Sequence, residues 1–132
     1  MTTQQPMILV VDDDADVLET TGFMLRTRGF EVLTATSGPA ALDICVRYPE
    51  QIDAVVADLS IPGDHSRFTR EIATQYPNIK IIYMTGIPRH IALSSGLVEP
   101  DAPYLEKPVS ADMLEGLIRG QVTGFIPARD IW

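Results

Sequence analysis

The sequence predicts an α/β fold, a mostly parallel five-stranded sheet with helices on both faces. Three observations predict it. Strand-length apolar runs alternate five times with segments of helical periodicity. The first run, Met-Ile-Leu-Val-Val at residues 7–11, is apolar throughout, as a strand covered on both faces must be. At 132 residues the chain is the size of one domain, with enough core to stand without disulfide or metal staples.

The strand segments are residues 7–11, 31–36, 52–59, 80–85 and 103–106. The second is more polar and suits a sheet edge, and the last rests on the pair Tyr104-Leu105. Among the helical segments, residues 15–28 put Leu18, Thr21, Gly22 and Leu25 on one face, with Gly29 as a stop. Residues 38–48 carry Ala41, Leu42 and Cys45 at helical spacing, and residues 66–76 space Phe68, Ile72 and Tyr76 four apart. Residues 88–97 are the irregular member: Pro88, Gly96, Pro100 and Pro103 predict a short or displaced fourth helix. Residues 110–119 open on Ser110 as an N-cap and present Met113, Leu114, Leu117 and Ile118 as the apolar stripe. The expected organisation is a leading tail at 1–6, one domain over 7–120, and a tail or linker stub at 121–132.

Apolar residues make up 45% and charged residues 21%, a globular balance. No run approaches the roughly 20 apolar residues that span a bilayer, and residues 1–6 lack the basic and apolar regions of a signal peptide. The single cysteine, Cys45, cannot form an internal disulfide, so a reducing, cytoplasmic setting is expected. A formal net charge of −8 disfavours direct nucleic-acid or anionic-membrane binding. Protein partners and divalent cations fit that balance better.

In a doubly wound sheet, ligands gather at the carboxyl ends of the strands. The first strand ends in Asp12-Asp13-Asp14, and the third is an apolar run interrupted by Asp58. The fourth ends in Thr85-Gly86 and the fifth in Lys107-Pro108. Acids crowded beside an apolar core raise one another's proton affinity. A hard cation such as Mg²⁺ offsets this with carboxylate, water and phosphate oxygens as ligands. Lys107 adds a fixed positive charge, and Thr85 a hydroxyl for a phosphoryl oxygen. Aspartate is itself a nucleophile that forms an aspartyl phosphate. Asp58, the carboxylate isolated in an apolar strand, is the candidate for that role, with Asp12 and Asp13 holding the metal. Taken singly, each residue has a plainer reading. Asp12–Asp14 can be a helix cap, and a strand-end Asp or Thr is ordinary turn chemistry. Their joint placement at separate strand ends is what singles them out.

This pattern resembles the receiver domain of two-component response regulators, over about residues 7–119. The resemblance is carried by Ile8-Leu9-Val10-Val11-Asp12-Asp13-Asp14, by residues 55–63 around Asp58, by Met84-Thr85-Gly86 and by Tyr104-Leu105-Glu106-Lys107-Pro108. It implies the flavodoxin-like winding, a three-layer (βα)5 sandwich with strand order 2-1-3-4-5. It further implies phosphorylation of Asp58 by a histidine kinase or phosphotransfer partner, and Mg²⁺ (or Mn²⁺) held by Asp12, Asp13, Asp58 and the backbone carbonyl of Ser60. Thr85, Gly86 and Lys107 would bind the phosphoryl group, with Tyr104 as the aromatic switch and a cis peptide at Lys107-Pro108. Such a domain signals through protein contacts, a homodimer among them, rather than acting as an enzyme on other substrates. The chain departs from the family at Gly63-Asp64-His65-Ser66, which runs one residue short and lacks the glycine that commonly precedes the third helix, and in the proline-rich stretch 87–103.

The alternative is a haloacid-dehalogenase-type, Mg²⁺-dependent phosphatase, for which Asp12-Asp13-Asp14 has the Asp-x-Asp spacing. That family usually has Thr or Val two residues further on, where this chain has Asp16, and no segment here forms a convincing cap. An EF-hand fails because its sixth and twelfth positions would be Val17 and Phe23. A flavodoxin-like electron carrier fails because three carboxylates stand where a flavin phosphate would sit. His65 and His90 have no partner at zinc spacing and read as surface residues.

Overall fold

The protein is described here by a computed structural model covering residues 5–60 and 67–123. Its elements run β1 (Met7–Val11), α1 (Ala15–Thr27), β2 (Glu31–Ala35), α2 (Gly38–Arg47), β3 (Ile52–Ala57), α3 (Arg67–Gln75), β4 (Lys80–Thr85), α4 (Arg89–Ser94), β5 (Tyr104–Glu106) and α5 (Ala111–Thr123). Every strand pair is parallel, and the order is β2-β1-β3-β4-β5, the flavodoxin-like winding. The polar second strand lies at one edge, as its composition predicts.

Strand alternation builds two cores. Ile8 and Val10 of β1, Ala54 and Val56 of β3, and Ile82 and Met84 of β4 pack with Leu18, Leu25, Leu114 and Ile118 of α1 and α5. Leu9, Val11, Val55 and Ala57 point the other way, onto Ala41, Cys45, Phe68 and Ile72 of α2 and α3. A smaller cluster of Leu59, Ala92 and Val98 lies under α4. The face of α1 expected to be buried is the buried one: Leu18, Thr21, Gly22 and Leu25.

The helix ends follow local chemistry. Asp14 caps α1 by accepting from the Asp16 and Val17 amides. At the other end Gly29 adopts φ +94°. The amides of Phe30 and Gly29 then bond the Leu25 and Arg26 carbonyls, which is a Schellman stop. Ser37 caps α2 through Ala40, and Ser110 caps α5 through Met113, the latter as expected.

α4 is a single short helix of six residues, in keeping with its prolines. α5 differs from expectation. It does not stop near Arg119 but continues through Thr123, so residues 121–123 belong to the helix and not to a tail. Val122 lies one turn beyond Ile118 and packs on the same core, which keeps the helix going past Gly120. The Gly63–Ser66 departure, His65 and the apolar residues 125–132 lie outside the described residues. No described helix is long and apolar enough to cross a membrane.

Candidate functional site

Register brings the acids together. Val11 of β1 pairs with Ala57 of β3, so the next residue on each strand leaves the sheet at the same edge. Those residues are Asp12 and Asp58. Asp12 is anchored by its amide to the Ala35 carbonyl, and Asp58 by its amide to the Val11 carbonyl. Two strands away, the Lys107 amide donates to the Thr85 carbonyl at 2.8 Å, which sets the lysine level with them. The Lys107-Pro108 peptide is cis, as the resemblance implied.

The side chains complete the pocket. Lys107 Nζ lies 2.7 Å from Asp12 Oδ2 and 3.0 Å from Asp58 Oδ2. Asp12 is 1% exposed and Asp58 4%, so this bridge is made largely out of water. Asp13 is exposed, and Asp12, Asp13 and Asp58 can each offer one oxygen with all three within 4.8 Å of one another. Asp58 Oδ1 accepts from the Ser60 amide at 2.9 Å and from its hydroxyl at 2.8 Å. Thr85 is fully buried. Its hydroxyl accepts from the Ile87 amide at 3.3 Å.

These contacts decide the charge states. Burial pushes the Asp58 carboxyl up, but the Ser60 amide, the Thr85 and Ser60 hydroxyls and Lys107 together hold it below its ordinary value. Asp12 goes the other way. Its burial outweighs Lys107 and the Asp14 amide, and its carboxyl is raised. Burial opposes the Lys107 ammonium, yet hydrogen bonds to Asp12 and Asp58 raise its proton affinity overall. The arrangement therefore holds an ionised aspartate against a charged lysine, beside a second carboxylate whose charge is poorly compensated.

The Asp12–Asp14 triplet divides its labour: Asp14 is the helix cap, while Asp12 and Asp13 face the pocket. Gly86 is exposed, and a Cβ built there meets nothing within 4 Å, so its small size is not required by packing. Tyr104 is half-buried. Its hydroxyl donates to the Ile87 carbonyl and its ring tilts against Tyr83 at 6.4 Å. Sequence reasoning assigned Ser60 only a backbone carbonyl and missed its hydroxyl. The signal was available: a serine two residues after an aspartate has the spacing of a side-chain-to-backbone turn.

A family described as the response regulator receiver domain matches residues 8–119. Transcriptional regulatory protein GlrR from Escherichia coli (strain K12) is 32% identical over 127 residues, covering 93% of this chain and 28% of that protein. The uncharacterized transcriptional regulatory protein YrkP of Bacillus subtilis is 29% identical over 115 residues, covering 87% of the chain and 48% of its own length. The chain thus spans less than half of these curated relatives. Among solved structures, a response regulator receiver domain protein from Clostridium thermocellum superposes with TM-score 0.81 at 32% identity, over 90% of this chain and 95% of that one. A receiver protein from Sinorhizobium medicae gives TM-score 0.77 at 28% identity, over 92% and 98%. These matches lend no support to a haloacid-dehalogenase-type phosphatase.

Proposed function

The chain belongs to the response regulator receiver domain family of two-component systems, and on that footing we propose that Asp58 is its phosphoacceptor. The observation that carries this is the Lys107 ammonium bridging Asp12 and Asp58 in a buried pocket, with Asp58 Oδ1 held by the Ser60 amide and hydroxyl. A nucleophile must be deprotonated and aimed. Those hydrogen bonds keep Asp58 ionised and fix its carboxylate plane.

The donor set fits a hard divalent cation. It consists of oxygens only, two buried and one exposed, close enough for each carboxylate to give one ligand. Asp12, Asp13, Asp58 and the Ser60 carbonyl would hold Mg²⁺, or Mn²⁺ in its place. When bound, the ion neutralises the acids and draws negative charge from phosphoryl oxygens. The protein's own residues do the rest. An Asp58 oxygen attacks phosphorus as the bond to the donor breaks, and a phosphohistidine donor leaves as neutral imidazole after taking up a proton. Lys107 then pairs with one phosphoryl oxygen, and the Thr85 hydroxyl donates to another. Hydrolysis of the acyl phosphate restores Asp58.

The phosphoryl donor is a histidine kinase or histidine phosphotransfer protein, in a two-component or phosphorelay pathway of the cytoplasm. Output passes through protein contacts, with a second copy of the chain among the candidate partners. Thr85, Gly86 and Tyr104 form the switch beside the site. The net charge of −8 argues against direct nucleic-acid contact by this segment. Residues 7–120, extended to the end of α5, form the receiver unit.

The test is incubation with acetyl phosphate and Mg²⁺ followed by intact mass. One phosphoryl adduct is expected, absent in Asp58→Asn and absent when a chelator removes the metal. An unmodified wild-type protein overturns the proposal.

A further inference from the structure

Beside the phosphoryl pocket an open groove of about 560 Å³ runs along α1, and the chemistry described above does not use it. Val17, Thr20 and Met24 form one wall, spaced three and four residues apart and so on one face of the helix. Met84, Pro108 and Val109 form the other. The volume is that of a small-molecule site. Among the described lining residues only Asp16 and Lys107 carry charge.

Lys107 joins the groove to the pocket. It lines the groove, while its ammonium holds Asp12 at 2.7 Å and Asp58 at 3.0 Å. The two sites are therefore no further apart than the length of one lysine side chain. Chain order explains this continuity: Met84 precedes Thr85 on β4, Pro108 and Val109 follow Lys107, and α1 begins just after the acidic triplet. A donor whose phosphorus sits over Asp58 carries the next few atoms of its leaving group within reach of the groove. The lining decides what those atoms should be. Its walls are aliphatic and thioether apart from threonine hydroxyls, which favours a neutral apolar chain. The Asp16 carboxylate opposes an anionic one.

We propose that the groove receives the apolar acyl chain of small acyl phosphates, with Val17, Thr20 and Met24 setting a preference for longer-chain donors. This rests on the reading of Asp58 as phosphoacceptor and names a substrate class for that site. As an Asp58 oxygen bonds to phosphorus, the bond from phosphorus to the acyl oxygen breaks. A carboxylate leaves with that electron pair and needs no proton. Contact between chain and groove adds binding energy from a part of the donor that does not react, which raises the second-order rate constant of transfer.

The experiment compares acetyl phosphate with butyryl phosphate, each with Mg²⁺ and the full chain, and reads the second-order rate constant of adduct formation by intact mass. The reacting bond is alike in the two donors, so their ratio reports the chain. Butyryl phosphate should react roughly threefold to tenfold faster, the scale of half-burying two more methylenes. Thr20→Gln sets an amide in the groove from an exposed position on α1, and Val17→Thr exchanges a methyl for a hydroxyl. Each should cut the ratio by about half or more, because a polar group there favours water over the chain. Phe23→Gln alters an exposed apolar residue of the same helix outside the groove and should keep the wild-type ratio. Equal constants for the two donors in the wild type overturn the proposal, and are the result if the groove takes a partner's side chain or nothing. A preference that persists in both Thr20→Gln and Val17→Thr overturns it as well. So does a preference that Phe23→Gln abolishes equally. No adduct with either donor overturns the phosphoacceptor reading and the donor preference with it, whereas equal adduct rates overturn the groove's role alone.

Discussion

Lys107 and Asp12, 95 positions apart in sequence, are joined by a 2.7 Å ion pair in which the aspartate is buried. The same ammonium serves Asp58 at 3.0 Å. One cation thus stands between two buried carboxylates and compensates both.

Replacing Lys107 by Met leaves both carboxylates without that cation. A loss of about 1–3 kcal/mol at neutral pH is expected, the cost of stranding buried acceptors. Because the folded state raises the Lys107 proton affinity, its contribution is complete below the unfolded lysine value. It is lost as pH rises through the folded one. Urea denaturation of both proteins across alkaline pH should show the gap closing as the wild type loses its advantage. A gap that stays constant through that titration would contradict the assignment.

Asp12 offers the opposite sign. Its carboxyl is raised, so folding favours the protonated form, and that advantage is lost as pH rises through the folded value. At neutral pH without metal, Asp12→Asn should therefore melt higher than wild type, the difference shrinking in acid. Adding Mg²⁺ should raise the wild-type melting temperature and leave the variant nearly unmoved. Equal Mg²⁺ responses would contradict the proposal that Asp12 is a metal ligand.

Gly38 starts α2 where α3 crosses closely. A Cβ there would lie 3.2 Å from Cβ and Cδ1 of Phe68. Gly38→Ala should destabilise by about 1–2 kcal/mol, the cost of overpacking. Phe68→Leu in the same chain should recover part of the loss in a double-mutant cycle. Simple additivity would show that the two residues do not collide.

Cys45 has no exposed surface, and burial raises its thiol above the ordinary range. An aromatic disulfide reagent should label it at least tenfold more slowly in the folded protein than in denaturant, since only the exposed thiolate reacts. Rapid labelling of folded protein would place it elsewhere than in the core between the sheet and α2.

Much of the fold was legible in the residues because its signals are local. Alternating apolar runs, Gly29 as a stop, and Ser110 as a cap each act within a turn or two of chain. The failures came where the deciding contact was distant. The last helix, expected over residues 110–119, runs on to Thr123, where Val122 packs on a core built largely by distant strands.

The site divides in the same way. The sequence by itself determined which residues could carry the chemistry: Asp12, Asp13, Asp58, Thr85 and Lys107 stand at strand ends, and a parallel sheet brings strand ends to one edge. Only the tertiary structure decided how they share the work. It separated Asp14, a cap, from Asp12 and Asp13, and it put the Ser60 hydroxyl on Asp58. It also set the two buried acids apart in proton affinity and laid Glu106 across to the start of α4. The physical reason is that residue type and spacing specify the hydrogen-bonding groups available. Burial, strand register and the direction of each donor decide which charge is compensated and which is not.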